Sequence, residues 1–369
     1  MSFTLAAYIA RTFLQRLGLV LVIVAVLIII GDLIEMARNL GSSGAGGVEV
    51  FTMALLHMPT VLGSTLPFVF MLASMAAFLQ LARSSELVVT RAAGVSAWRL
   101  ILPVMLCAGV LGVVAFAALN PIAATTLSRY ETMNARYFKG QASLLSVSGK
   151  GLWLRQAEES GQTVIRAARS NADGTRLLLP TLFRFDENGR LVGRIEAESA
   201  ELSPGVGAWI MADATEWRFG PELADAALPV ARDEITVPTT LTSERILDGF
   251  APPQSLSFWD LPRFIAILEA AGFTADRHRL YYQAELAKPL LFMAMVLLGG
   301  AFSMRTTRFG GVGIMILAAV MTGFVLFFVS DVTQALGGSG ALPPLIAVWV
   351  PPASAMLGAM GLLFYLEDG

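Results

Sequence analysis

Charge is what this chain has least of. Only 15% of its 369 residues are Asp, Glu, Lys or Arg, against 55% hydrophobic, and the mean hydropathy is +0.66. The surface of a soluble domain needs far more charge than that, so an ordinary globular enzyme is a poor fit. Cysteine is nearly absent too. Cys107 stands alone inside an apolar run, which excludes a disulfide framework and any Cys/His metal spacing. The two histidines, His57 and His278, are far apart in sequence and leave little for a His-based site. Nucleotide motifs are missing: there is neither a G-x-x-x-x-G-K-[ST] phosphate loop nor a G-x-G-x-x-G turn after a strand. H-E-x-x-H and G-x-S-x-G are missing as well, which argues against a metal hydrolase and a serine hydrolase. An intramembrane protease needs a polar pair deep in two spans. Ser64, Thr65 and Ser74 are present, but hydroxyls in membrane helices usually bond their own backbone.

What the chain does have is apolar residues clumped into runs long enough to cross a bilayer, roughly 20 residues each. Six such runs occur, at about Tyr8–Met36, Val50–Leu81, Trp98–Leu119, Ala284–Met304, Val312–Asp331 and Leu342–Tyr365. In lipid, backbone groups must be satisfied internally, so these runs predict helices. Pro59, Pro67 and Pro289 are tolerable inside them if neighbouring helices or hydroxyls cover the freed carbonyls, and Asn120-Pro121 is expected to end the third. Arg11 and Arg16 precede an apolar run as in a signal peptide, but GDLIEMAR follows without a small-residue cleavage pattern, so the run reads as a retained first span.

The short loops set the orientation. Arg11 and Arg16, then Arg83, Arg91 and Arg99, then Arg305 and Arg308 all fall on one side of a six-span arrangement, while the short loops opposite offer only Arg38. Both termini are therefore expected in the cytosol. The long insert between the third and fourth spans is then outside.

That insert, residues 129–279, separates helices one to three (1–128) from helices four to six (280–369). Turn signals recur through it, among them Glu159-Ser160-Gly161, Asn171-Ala172-Asp173-Gly174, Asp186-Glu187-Asn188-Gly189, Ser203-Pro204-Gly205 and Phe219-Gly220-Pro221. Short runs lie between them: Gly151–Arg155, Gln162–Ala167, Leu182–Phe185, Leu191–Glu196, Trp209–Met211 and Glu216–Phe219. This pattern predicts an antiparallel sandwich or jelly roll. A Pro-rich link, Ala251-Pro252-Pro253, leads to a short amphipathic helix at about Leu261–Ala271, stopped by Gly272 and expected near the membrane surface. The glycine- and serine-rich stretch Gly41–Gly47 reads as a flexible external turn. The fold class is thus an α-helical membrane protein with six transmembrane helices and an antiparallel β-jelly-roll-like domain.

Three groups of charged residues could carry function. Between the second and third spans, LARSSELVVTRAAGVSAWRL predicts a short helix at about residues 84–94. Ser84 or Ser85 can cap it, Glu86 suits its first turn, Arg91 its last, and Gly94 its stop. It reads either as an interfacial turn helix with Arg83 and Arg91 as topology anchors, or as a docking helix whose Glu86 meets a basic residue on a partner. At the end of the first span, Asp32, Glu35 and Arg38 are spaced i, i+3, i+6, and Asp331 ends the fifth span similarly. These charges are either solvated at the interface or turned into a polar cavity. Beyond the third span, Arg129 and Arg136 share a helical face with Lys139 one turn on. That face is either a solvated linker or an anionic headgroup site.

RSSELVVTRAAG at Arg83–Gly94 resembles the motif after span two in the lipopolysaccharide export permeases of the LptF/LptG (YjgP/YjgQ) family. Ser143-Leu144-Leu145-Ser146 followed by Gly151-Leu152-Trp153 is similar to the start of that family's periplasmic domain, in the LptG branch particularly, and the Tyr8-Ile9 opening agrees. The resemblance covers essentially the whole chain. It implies a permease subunit that pairs with an LptF-like permease and an LptB-like ATPase dimer, and that is not itself catalytic. It implies no cofactor in this chain, since ATP and Mg would be held by the ATPase. Lipopolysaccharide would enter between spans one and five, then pass to β-jelly-roll domains and a bridge that includes LptC- and LptA-like proteins. The family couples to its ATPase through the short cytosolic helix, whose glutamate corresponds to Glu86. One departure stands out: the LptG branch often has lysines just past the apolar part of span one, and the first of those positions is Asp32 here, with only Arg38 basic nearby. Either a divalent cation bridges, or Arg129, Arg136 and the partner supply charge, or the lipid carries less phosphate.

The expected function is that of a bacterial inner-membrane permease subunit in an ATP-driven lipopolysaccharide exporter. The rivals are a six-span receptor with an external ligand-binding β domain, which would lack a cytosolic output domain after Glu367-Asp368-Gly369; an intramembrane lipid enzyme; and another kind of ABC permease.

Overall fold

The computed structural model describes residues 3–38, 46–134, 136–137, 145–148, 151–158, 161–171, 174–203, 207–219, 228–239, 246, 252–270, 272–304 and 312–368. Lys139, Arg305, Arg308, most of the Gly41–Gly47 turn and several of the β-turn residues lie outside them. The chain forms two compact units. One comprises residues 1–140, 254–259 and 276–369; the other comprises 141–253 and 260–275.

The first unit is helical. Its long helices are α1 (Phe3–Arg38), α2 (Gly47–Arg83), α4 (Ala97–Val114) running through a π-helical turn at Ala115–Leu119 into α5 (Asn120–Asn134), α7 (Asp276–Ser303), α8 (Val312–Gly338) and α9 (Pro344–Asp368). Six of the described segments are long and apolar enough to cross a membrane, the α4–α5 rod counting as one. The short helix α3 (Glu86–Ala92) lies between α2 and α4, and α6 (Leu261–Ala270) precedes α7.

The centre of this unit is α2, α4 and α7, with Phe70, Met71, Phe78, Ile101, Phe292, Met295 and Leu297 almost fully buried. Phe70 stacks on Phe292 with centroids 4.4 Å apart. Small residues permit the close approach that membrane helices need. A Cβ on Gly299 would fall 2.6 Å from the Met71 carbonyl oxygen, and one on Gly112 would fall 2.4 Å from Pro289 Cα. Ser74 Oγ adds a hydrogen bond across to the Val296 carbonyl at 2.8 Å, whereas Ser64 and Thr65 bond carbonyls three residues back in their own helix. By contrast α1 and α8 keep rows of large apolar side chains exposed, such as Leu19, Val22, Val26 and Leu27, and Leu317, Phe324 and Phe328.

The prolines show how freed carbonyls are served. Pro351 in α9 cannot donate to the Ala347 carbonyl, and Thr333 Oγ1 of α8 donates to it instead at 2.8 Å. Pro121 was expected to end the third span, yet the helix continues to Asn134. The chain widens into the π turn, and the Ala117 carbonyl, four residues before Pro121, accepts the Trp259 indole N–H at 3.1 Å. The fourth span also begins earlier than its apolar run, at Asp276, so Pro289 sits in its interior.

The second unit is a ten-stranded antiparallel sheet, nearly closed and resembling a jelly roll. Its strands are β1 (Leu145–Ser148), β2 (Gly151–Glu158), β3 (Gly161–Ala167), β4 (Arg169–Ser170), β5 (Arg176–Leu178), β6 (Thr181–Phe185), β7 (Leu191–Glu196), β8 (Ser199–Ser203), β9 (Ala208–Arg218) and β10 (Val230–Pro238). The order is β1-β2-β3-β6-β7-β9-β8-β5-β4, with β10 on the other edge of β9. The runs at Trp209–Met211 and Glu216–Phe219, expected as two strands, are one. Asp213 adopts φ 50° in its middle, and there β9 leaves β8 and begins pairing with β7. The kink explains the broken alternation: Met211 and Ala214 both face the core. The interior is filled by Leu154, Ile165, Leu182, Ile195, Trp209 and Met211. Helix α6 sends Leu268 into that core, with Phe264 and Ile265 packed on it. Gly272, at φ 94°, ends the helix, and no other residue fits there, since a Cβ would fall 1.8 Å from the Ser170 carbonyl oxygen.

Candidate functional site

The turn between α2 and α4 is built as a rigid corner. Ser84 Oγ donates back to the carbonyls of Gln80 and Leu81, and Ser85 takes a left-handed φ of 60° with no side-chain cap, so neither serine caps α3 in the expected way. The hydroxyl of Ser84 closes α2, and the backbone turns sharply at Ser85 before α3 begins. The other end is as expected: Gly94 has φ 83°, its N–H bonds the Arg91 carbonyl, and the Val95 N–H reaches the Thr90 carbonyl, the two bonds of a Schellman stop.

Within α3, Leu87 is buried against the helical core, while Val88 and Val89 are 59% and 67% exposed. Glu86 is half-buried in the first turn, within electrostatic reach of the Tyr8 hydroxyl of α1. Arg83 is exposed at the end of α2, and Arg91 is half-buried in the last turn of α3. The corner therefore offers a half-buried carboxylate beside two uncovered valines. Nearby, Arg16 Nε donates to Gln80 Oε1 at 2.8 Å and ties α1 to the end of α2.

A second group lies at the far ends of α1, α2 and α5. Asp32 is not solvated there. Its side chain is only 12% exposed, and its Oδ2 is 2.9 Å from His57 Nδ1 of α2. The His57 ring stacks on Tyr130 of α5 with centroids 4.7 Å apart and planes 20° apart. Below this lies a small apolar cluster of Met36, Val50 and Met53 with Leu33, Met133 and Tyr137. Glu35, Arg38, Arg129 and Arg136 are exposed at this end, and the Arg136 guanidinium sits 5.8 Å from the centre of the Tyr137 ring. Asp331, on α8, is exposed. The structure thus joins Asp32 to His57 and Tyr130 and leaves the four neighbouring charges free to meet solvent or a ligand.

Sequence reasoning passed over His57 because it sought a second histidine. The usable signal was an ionisable ring inside an apolar run. It also passed over a buried pair in α7, where Lys288 Nζ lies 2.6 Å from Glu285 Oε1 and the Glu285 side chain is 3% exposed. Among the described residues no group of three or more His, Cys, Asp or Glu side chains could hold a metal ion.

Six helices long and apolar enough to cross a membrane, a nearly closed β domain inserted after the third, and a short helix on the connection between the second and third describe a multi-pass membrane protein. The sequence profile described as "Lipopolysaccharide export system permease LptF/LptG" matches residues 7–365, and the chain belongs to that family. It is a multi-pass inner-membrane protein. It is 27% identical over 328 residues to "Lipopolysaccharide export system permease protein LptG" of Escherichia coli strain K12, covering 88% of this chain and 87% of the relative. The protein of the same name from Haemophilus influenzae is 23% identical over 355 residues, 94% of each chain.

Proposed function

We propose that this protein is the membrane subunit of an ATP-driven ABC exporter that extracts lipopolysaccharide from the inner membrane and passes it to a periplasmic bridge. The observation that carries this reading is the family match across residues 7–365, which takes in the spans, the β unit and the turn helix together. ATP and Mg are held by a separate LptB-like ATPase dimer, and an LptF-like permease completes the membrane assembly. LptC- and LptA-like proteins form the bridge. In this reading both termini and α3 are cytoplasmic and the β unit periplasmic, an orientation supported by the arginines of the short connections.

In this reading α3 is the coupling helix. Val88 and Val89 supply apolar contact to the ATPase, Glu86 supplies a charged contact, and Arg83 and Arg91 flank it. ATP binding draws the two coupling helices together, and the rigid α2–α4 corner conveys the motion to the spans. The exposed faces of α1 and α8 meet the partner permease and the lipid between them. Asp32 is turned toward His57, so the phosphates of the lipid are met by Arg38, Arg129 and Arg136, with Glu35 and Asp331 limiting how far the positive field extends.

The test is affinity purification of the tagged chain from the native membrane followed by Glu86→Ala. A soluble ATPase and a second six-span protein should copurify with the parent. The variant should insert normally but lose ATPase or coupling. Normal transport by Glu86→Ala in a fully assembled complex would remove the assigned role of this residue.

A further inference from the structure

The residues Gln254–Trp259 are a short stretch of the helical unit with β-unit chain on both sides of them. They are seated against the junction of α4 and α5 and against α7. Asn120 is at the centre of the seat and is 4% exposed. Its Oδ1 accepts the Phe258 N–H at 2.8 Å, and its Nδ2 donates to the Tyr281 hydroxyl at 2.8 Å. One turn on in α7, within electrostatic reach of the Tyr281 hydroxyl, Glu285 pairs with Lys288. The Trp259 indole closes on the Ala117 carbonyl that Pro121 leaves without a donor. The Phe258 ring is 5% exposed, stacks on Tyr282 at 5.0 Å and 13°, and meets Phe116 at 4.9 Å.

This arrangement is more than packing. An asparagine amide at a buried helix junction is costly unless both its ends are satisfied, and here each end is used on a different element. The π turn at Ala115–Leu119 contributes on the other side, where the Ala117 carbonyl accepts the indole N–H of the link. Six residues left free would behave as a slack tether with a mean span of about 13 Å, able to absorb a helix movement of several ångströms. Seated, the link is held on the helical unit by these bonds.

We propose that Asn120 is a positioning residue of a coupling clamp. It makes the link Gln254–Trp259 move with the junction of α4 and α5, so that rearrangement of the spans is delivered to the β unit instead of being lost in a flexible tether. The Tyr281–Glu285–Lys288 line is the same clamp continued into α7. The inference rests on the export cycle proposed above.

The experiment uses the complete exporter in vesicles containing lipopolysaccharide. Asn120→Leu removes both amide bonds at similar volume. Trp259→Phe keeps a ring and removes the indole donor. Tyr281→Phe cuts the line to Glu285 while sparing the Phe258–Asn120 bond. Lipid extracted per ATP hydrolysed is measured beside amide exchange at Phe258 and the thermal midpoint of the complex. Asn120→Leu and Trp259→Phe should lower lipid per ATP about tenfold with ATP hydrolysis retained, and Asn120→Leu should speed exchange at Phe258 about tenfold. Tyr281→Phe should fall between these variants and the parent. An unchanged lipid-to-ATP ratio, or one that falls only in step with the thermal midpoint, would overturn the clamp. A parent complex that hydrolyses ATP and extracts no lipid would instead defeat the export reading, and the exchange measurement would then judge the clamp alone: unchanged exchange at Phe258 in Asn120→Leu refutes it.

Discussion

Removing His57 isolates the buried carboxylate of Asp32, and the cost can be worked from the geometry. The 2.9 Å contact to a side chain 12% exposed is a hydrogen bond to a charged acceptor, which contributes about 1.5–3 kcal/mol. Stacking of His57 on Tyr130 adds about 0.5–1.5 kcal/mol. His57→Ala should therefore destabilise the protein by about 2–4 kcal/mol, and Tyr130→Leu by the stacking share alone. Asp32→Asn keeps an acceptor for the ring and should cost less than about 1.5 kcal/mol. The assay is a double-mutant cycle of Asp32→Ala and His57→Ala, read as unfolding free energy in bicelles. A coupling energy of about 1.5 kcal/mol or more is expected. A coupling below about 0.5 kcal/mol would show that the pair is incidental, and Asp32 would again be a candidate for direct contact with the lipid.

Other consequences are independent of that pair. Gly112→Ala drives a methyl to 2.4 Å from Pro289 Cα, which backbone cannot yield, so it should lower stability by about 1–3 kcal/mol or block assembly, whereas Gly313→Ala, with nothing within 4 Å, should be neutral or slightly stabilising in the same thermal assay. Thr333→Val strands the Ala347 carbonyl that Pro351 frees and should cost about 1 kcal/mol, measured as a lower thermal midpoint. Tyr8→Phe removes the α1 hydroxyl within electrostatic reach of Glu86; ATPase binding should survive while coupling drops several-fold, and loss of binding equal to that of Glu86→Ala would contradict a merely orienting role for Tyr8.

Much of the architecture was legible because membranes impose simple rules. Runs of about 20 apolar residues were enough to place the spans. The errors have local causes. Pro121 was expected to stop a helix, but a π turn plus one indole donor from residue 259 satisfied the exposed carbonyl, and a partner that far along the chain leaves no local trace. The two halves of β9 were separated because Asp213 breaks the alternation without breaking the strand. The cap expected at Ser84 or Ser85 failed because a serine directly after a helix can close that helix instead of opening the next. At the candidate site, the spacing of Glu86, Arg91 and Gly94 was enough to expect a short helix, while the coupling role of Glu86 came from the family resemblance. His57, Tyr130 and Asn120 were not legible, since each acts through a residue on another helix.

The central claim is that this chain forms the lipid-handling half of an ATP-driven exporter. Its most direct test is release of lipopolysaccharide from vesicles holding this chain, its permease partner and the ATPase, with a periplasmic acceptor outside. The account predicts ATP-dependent transfer that stops when this chain is omitted and falls sharply with Glu86→Ala. Transfer that proceeds equally well without this chain would contradict it.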